Sequence, residues 1–371
     1  MERTIIFNPE GDRETSKRKI VFGNPTNIME LNNVKYQWAF DLYKTMGFTN
    51  FWIPEEIPMH EDRKQYEKEL SEYERRAYEM VLSFLIALDS YQVNMLKEFA
   101  RYITAPELVM ALTSQEFQEA LHSYSYQFIL ESVVDPRVAD EIYNYWRQDP
   151  VLMERNKVIA ELYNEFIRKP TEENFIKAVF GNYVLESLYF YSGFAFFYTL
   201  GRQGKVRNTV QQIKYINRDE LTHVTLFRNI ILTLKEENKE LFTPEIEKWV
   251  YEFFKFATEK EIEWGKYVTQ NQILGLNDYL IDRYIKYLSN LRLTQIGYKP
   301  LYPDITDNPM KWIDQFRTIN DTKTDLVYDY RRKAFKPSCS VSERVGKMFV
   351  GANNHLCLDF LEAFKHVFTS P

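Results

Sequence analysis

KVRNTVQQIKYINRDELTHVTLFRNIILTLKEE, residues 205–237, is the stretch whose reading decides the fold. Its apolar stripe passes through Ile213, Ile216, Leu221, Val224 and Phe227, the spacing of one face of a long α-helix. Glu220 and His223 interrupt that stripe, and two residues three positions apart lie together on a helix surface. A lone Glu-x-x-His pair is ordinarily a solvated surface pair. Here the pattern occurs twice. QEALHSYSYQ, residues 118–127, carries Glu119 and His122 with Leu121, Phe128 and Ile129 nearby, and none of the other histidines follows a glutamate at that spacing.

Upstream of each pair stands a solitary acid on an apolar helical face. Asp89 lies in VLSFLIALDSYQVNML, and Glu186 in GNYVLESLYFYSGFAFF, where it shares a side with Phe190, Gly193 and Phe194. Burying an unpaired carboxylate costs several kcal/mol or more, so four of them need compensation to share one core. Two divalent cations supply it, since they neutralise four carboxylates while two neutral imidazoles add no charge. Helices offering Asp or Glu, Glu-x-x-His, Glu and Glu-x-x-His match the inward-facing ligands of dinuclear iron and manganese bundles. Oxygen-rich ligation with one nitrogen per metal favours those metals over zinc. The candidate ligands are Asp89, Glu119, His122, Glu186, Glu220 and His223. His60, His355 and His366 lack such surroundings and read as ordinary surface or packing residues.

The rest of the chain supports an all-α bundle. Only 12 glycines occur in 371 residues, 45% of which are hydrophobic and enough for a sizeable core. Helical patterns run over Leu31–Met46, Leu70–Ile103, Pro106–Val134, Pro136–Arg147, Val151–Arg168, Thr171–Gln203, Lys205–Glu237, Thr243–Asn271 and Asn277–Ile296. They break at TAPE, VDPR, KPTEEN, FTPE and LGLND, where capping residues and prolines predict helix boundaries. Residues 1–30 read as an irregular arm, 31–317 as the metal-binding helical domain, and 318–371 as an irregular C-terminal tail. The net charge of −6 gives no support to a nucleic-acid partner. No stretch approaches the ~20 apolar residues of a membrane span, and the N-terminus lacks the apolar core of a signal peptide. Cys339 and Cys357 suggest neither a disulfide framework nor a zinc cluster, so the cytoplasm is the simplest location.

Six stretches carry a wider resemblance: FWIPEE (51–56), LDSYQ (88–92), EALHSYSY (119–126), LESLYFY (185–191), RDELTH (218–223) and NPMKWI (308–313). Together they resemble the radical-generating small subunit of class I ribonucleotide reductase. The resemblance implies a ferritin-like bundle with additional helices. It implies one metal held by Asp89, Glu119 and His122 and a second by Glu186, Glu220 and His223. Iron, as a diiron-oxo centre, is the first expectation, and the same ligands accept manganese or a mixed pair. The family's radical falls on the tyrosine four residues after the first histidine ligand, here Tyr126, with Phe190, Phe194 and Ile216 as its apolar shield. Trp52 and Asp219, with His122, match the family's hydrogen-bonded route for electrons and protons.

The implied assembly is a homodimer that passes its radical to a large catalytic subunit, where ribonucleotides are reduced. This chain has no nucleotide-binding glycine loop and no cysteine set for that reduction, so a partner is required. The scaffold also suits ligand-binding oxidases or monooxygenases and, in shorter bundles, iron storage; Tyr126 and the Trp52–Asp219 pair argue against both. One departure lies in the tail, where family members carry a relay tyrosine. No tyrosine follows Tyr330, so Tyr328 and Tyr330 are the last candidates. Phe360, Phe364 and Phe368 form an apolar stripe that would either pack on the bundle or dock into the large subunit.

Overall fold

The computed structural model describes residues 1–317; the tail at 318–371, with Tyr328, Tyr330, both cysteines and the phenylalanine stripe, lies outside the described residues. Helices α1 (Gln37–Lys44), α2 (His60–Lys68), α3 (Glu72–Ala100), α4 (Pro106–Val133), α5 (Pro136–Gln148) and α6 (Pro150–Arg168) form the first half. They are followed by α7 (Glu172–Val184), α8 (Tyr191–Arg202), α9 (Arg207–Glu237), α10 (Pro244–Thr269), α11 (Asp278–Gln295) and the short α12 (Asp314–Arg317). Among the described residues there is no strand, only isolated bridges at Asp12–Pro25 and Ile273–Leu276.

Local chemistry explains where these helices begin. Ser71 and Glu74 close a reciprocal capping box on α3, with backbone N–H bonds of 3.2 and 2.8 Å. Asp135, Asp149, Thr171, Thr243 and Asn277 each accept a backbone N–H in the first turn of the following helix. Helix α9 is different. Its N-cap, Val206, sits in the left-handed region (φ 41°) and offers no capping side chain. Asp62 of α2 substitutes, accepting from the backbone N–H of Asn208 at 3.2 Å and of Thr209 at 2.6 Å.

Five helices close a ring: α3 packs on α4, α4 on α9, α9 on α7 and α8, and α8 back on α3. Gly193 permits the last contact, since a β-carbon there would stand 2.7 Å from Phe84 Cζ. Helix α10 packs against α3, α6 and α8, and α11 packs against α10. The arm is strapped to this body by Thr104 N–H donating to Ile20 O (2.8 Å) and by the Arg18–Glu107 ion pair (3.1 Å). Ile20 and Val21, part of the arm itself, are fully buried.

Three boundaries depart from the periodic reading. The first helix begins at Gln37, not Leu31, because the N–H groups of Lys35 and Tyr36 both turn to Glu107 Oε1 at 3.0 Å. Helix α2 was not anticipated, since HEDRKQYEK has almost no apolar face and buries only Asp62 and Tyr66. The continuous helix expected over Thr171–Gln203 is interrupted by a π-helical turn at Leu185–Tyr189, between α7 and α8.

Candidate metal centre

The ring delivers each candidate side chain to one dry point. Asp89 comes from α3, Glu119, His122 and Tyr126 from α4, Glu186 from the π turn, and Asp219, Glu220 and His223 from α9. All eight are buried with zero exposure. A π turn is a frequent feature of functional sites, and here it carries a carboxylate inward.

The ligand atoms fall into two overlapping groups, Asp89–Glu119–His122–Glu220 and Glu119–Glu186–Glu220–His223, each with its atoms within 4.8 Å of one another. In the first, His122 Nδ1 lies 3.7 Å from Asp89 Oδ2, 3.6 Å from Glu119 Oε2 and 3.1 Å from Glu220 Oε1. In the second, His223 Nδ1 lies 3.1 Å from Glu119 Oε1, 3.7 Å from Glu186 Oε2 and 3.0 Å from Glu220 Oε2. Glu119 and Glu220 therefore each turn one oxygen to His122 and the other to His223.

The far side of each imidazole is also occupied. His122 Nε2 faces Asp219 Oδ2 at 3.4 Å, and the same oxygen accepts the Trp52 indole N–H at 2.9 Å. His223 Nε2 meets Gln118 Oε1 at 2.9 Å. With Nε2 donating in both rings, each Nδ1 is the nitrogen that faces the carboxylates, the position from which a histidine that gives up its Nδ1 proton can hold a metal.

Electrostatics demand positive charge here. Burial drives the Asp89 and Glu220 carboxyls well above their ordinary range, and repulsion from neighbouring carboxylates adds to it. Glu186 moves up for the same reasons. Burial also pushes Glu119 up, but His223 and His122 override it and bring the carboxyl down to about 2. Desolvation opposes charging of both histidines, yet the carboxylates prevail and raise His223 to about 10 and His122 well above its usual value.

The donor set fits a pair of hard cations. Both Asp89 oxygens, Glu119 Oε2, Glu186 Oε2, Glu220 Oε1 and His122 Nδ1 are buried without a hydrogen-bond partner, atoms that native cores rarely leave unpaired. They are five oxygens and one nitrogen, drawn from the residues of the two overlapping groups. The Tyr126 hydroxyl is likewise buried and unpaired, and burial with the nearby charge of Asp89 and Glu220 holds its proton firmly. Phe190, Phe194 and Ile216 are all buried, and the two phenylalanine rings stack with centroids 5.8 Å apart. His60, by contrast, is exposed beside Glu61.

Several groups around the centre escaped the sequence reading. Gln92, Gln115 and Gln118 are buried amides that reach Glu186, Glu119 and His223. Their signal was position, since Gln115 stands one helical turn before Glu119, but an uncharged amide on a helix reads as a side chain turned to solvent. Arg155 of α6 was also missed. It is buried, bonds Glu261 of α10 at 2.5 and 3.0 Å and donates to Tyr189 O at 2.5 Å, while Glu261 accepts from Ser192 N–H at 3.1 Å. The pair thus grips the exit of the π turn.

Known proteins resemble this chain along most of its length. Residues 28–309 match the family described as ribonucleotide reductase, small chain. A ribonucleoside-diphosphate reductase subunit beta of Treponema pallidum is 43% identical, the alignment covering 92% of this chain and 97% of that one. One from Aquifex aeolicus is 38% identical, covering 87% and 96%. The solved structure of a ribonucleotide reductase R2 subunit from Clostridium botulinum superposes with a TM-score of 0.83 at 52% identity, covering 86% of this chain and 99% of that one.

Proposed function

Because this chain belongs to the ribonucleotide reductase small-chain family, we propose that it generates and stores a radical on Tyr126. As a class I small subunit it serves the large catalytic subunit in the reduction of ribonucleotides. The relatives' names point to nucleoside diphosphates as the substrates. A cytoplasmic homodimer is the proposed working form, and among the described residues no helix is long and apolar enough to cross a membrane.

Asp89 and His122 would hold one metal, Glu186 and His223 the other, with Glu119 and Glu220 shared between them. Iron is the proposed occupant, and manganese suits the same donors. When bound, the pair supplies the oxidising power, drawn from O₂ or a reduced oxygen species, that removes an electron from a phenol. The chain's own residues do the rest. Tyr126 loses an electron together with its hydroxyl proton, and its sealed pocket excludes the water and reductants that would quench the radical. Asp219 Oδ2, shared between the Trp52 indole N–H and His122 Nε2, keeps a hydrogen-bonded route open from the centre to Trp52. When the radical moves on, Tyr126 regains an electron and a proton, and the group downstream of Trp52 loses them.

The observation that carries the reading is the double presentation of Glu119 and Glu220 to both histidines, with the unpaired Tyr126 hydroxyl on the same helix as Glu119 and His122. Elemental analysis with room-temperature electron paramagnetic resonance tests it. Wild type should carry two metals per chain and a tyrosyl signal, and Tyr126→Phe should keep the metals and lose the signal. A tyrosyl spectrum that persists in Tyr126→Phe assigns the radical elsewhere.

A further inference from the structure

Two of the buried glutamines have no part in the mechanism so far. Gln118 orients His223, but Gln92 of α3 and Gln115 of α4 both direct their side-chain nitrogens at a single atom, Glu186 Oε1. Gln115 Nε2 donates to it at 2.6 Å and Gln92 Nε2 donates to it as well. Gln115 also reaches Glu119 Oε1 at 3.2 Å. The other end of Gln92 fixes which way its amide points. Its Oε1 accepts from the Tyr163 hydroxyl at 2.7 Å and from Asn182 Nδ2 at 3.1 Å, so only its NH₂ is left to face Glu186. Glu186 Oε2 is the opposite case, with no hydrogen bond and His223 Nδ1 3.7 Å away.

A carboxylate can offer a metal one oxygen or two. We infer that Gln92 and Gln115 are positioning residues that restrict Glu186 to one oxygen, by occupying Oε1 and leaving Oε2 to the second metal. The inference rests on the metal-centre reading above. Turning Glu186 to present both oxygens would strip the buried Gln92 amide of its acceptor and leave Gln115 only its longer bond to Glu119 Oε1, losses that proteins avoid in a sealed core. The amides also spread the carboxylate's charge without neutralising it, so Oε2 keeps its affinity for a cation. Because Asn182 lies on α7, just before the π turn, the device ties the Gln92 amide to the same stretch of chain that carries Glu186.

Titration of the metal-free, full-length protein with manganese(II), following the free ion by its paramagnetic resonance, tests this directly. Wild type should take up two ions. Gln92→Met and Gln115→Met keep the length of the side chain but remove the donors. Each should weaken one ion by about 10–100-fold, the usual effect of removing a group that orients a ligand. The ion held with Asp89 and His122 should keep its affinity. In the infrared spectrum of the loaded variants, the gap between asymmetric and symmetric carboxylate stretches should narrow as Oε1 becomes free to coordinate. Tyr163→Phe, which removes one of the two groups orienting Gln92, should give the same changes in smaller measure. Wild-type affinities and unchanged carboxylate bands in both glutamine variants overturn the inference. So does an equal weakening of both ions accompanied by a lower thermal midpoint, which marks general loss of packing. A wild-type protein that takes up no manganese overturns the metal-centre reading itself, whereas failure confined to the variants leaves that reading standing.

Discussion

Replacing Arg155 by methionine should weaken the fold in a way that depends on pH. The guanidinium and the Glu261 carboxylate are both sealed from solvent, 2.5 Å apart at their nearest atoms. Removing one partner of such a pair leaves an uncompensated buried charge and costs about 3–5 kcal/mol. With an unfolding entropy of ~2.1 cal/mol/K per residue over the 317 residues described, each kcal/mol lowers the midpoint by about 1.5 °C. The expected drop at neutral pH is therefore about 4–8 °C. Glu261 already titrates above the ordinary carboxylate range, because burial outweighs the pull of Arg155. Without the arginine that carboxyl moves further up and takes a proton. A carboxyl raised in the folded state lends its stability below the unfolded value of ~4.3 and loses it as pH rises through the folded value. The deficit of the variant against wild type should thus be small near pH ~4.5, around the unfolded carboxyl's own value, and grow as pH rises towards neutrality. The double variant Arg155→Met/Glu261→Leu removes both charges and should recover most of the loss. Differential scanning fluorimetry of the metal-free proteins across that range is the assay. A deficit that does not change with pH, or a double variant as unstable as the sum of its parts, refutes the reasoning.

The shared carboxylates separate the ligand roles. Glu186→Ala should leave about one metal per chain, whereas Glu220→Ala, which touches both histidines, should lower both sites; elemental analysis showing two metals in either variant defeats the assignment. Asp62→Ala removes the acceptor for the first turn of α9 and should destabilise by about 2 kcal/mol, read as a fall in thermal midpoint, with Asp62→Asn losing less. For the tail, deletion of residues 355–371 should weaken binding to the large subunit while metals and radical stay intact. Unchanged affinity in a binding titration removes that segment as a docking element.

The candidate ligands were legible because charge on an apolar face is conspicuous. Asp89, Glu119, Glu186 and Glu220 each break a stripe that packing would otherwise fill, and the structure gathers all four. Gln92, Gln115 and Gln118 break no such rule, and only the fold reveals which atoms they face. The π turn was hidden for a different reason. Every residue from Ala178 to Leu200 is buried, so that stretch has no polar side against which a change of period could be noticed. Helix α2 was the reverse, too polar to announce itself. Which oxygen of Glu119 or Glu220 meets which histidine is a matter of side-chain rotation, and no spacing in the chain encodes it.

The π turn makes the centre sensitive to counting as well as to composition. An α-helix advances about 100° per residue, and a π turn holds one residue more, so the chain after Tyr189 runs out of phase with the chain before it by roughly that angle. Phe190 and Phe194 face as they do because of this offset. If the segment from Leu185 to Tyr189 closed into continuous α-helix at its present length, its propensities and hydrophobicity would be unchanged. Everything downstream would then rotate by about a quarter turn against α3 and α9. Gly193 would leave its contact with Phe84, and Ser192 would leave Glu261. The extra residue of the turn, rather than any one side chain, therefore sets which way Phe190, Gly193 and Phe194 face.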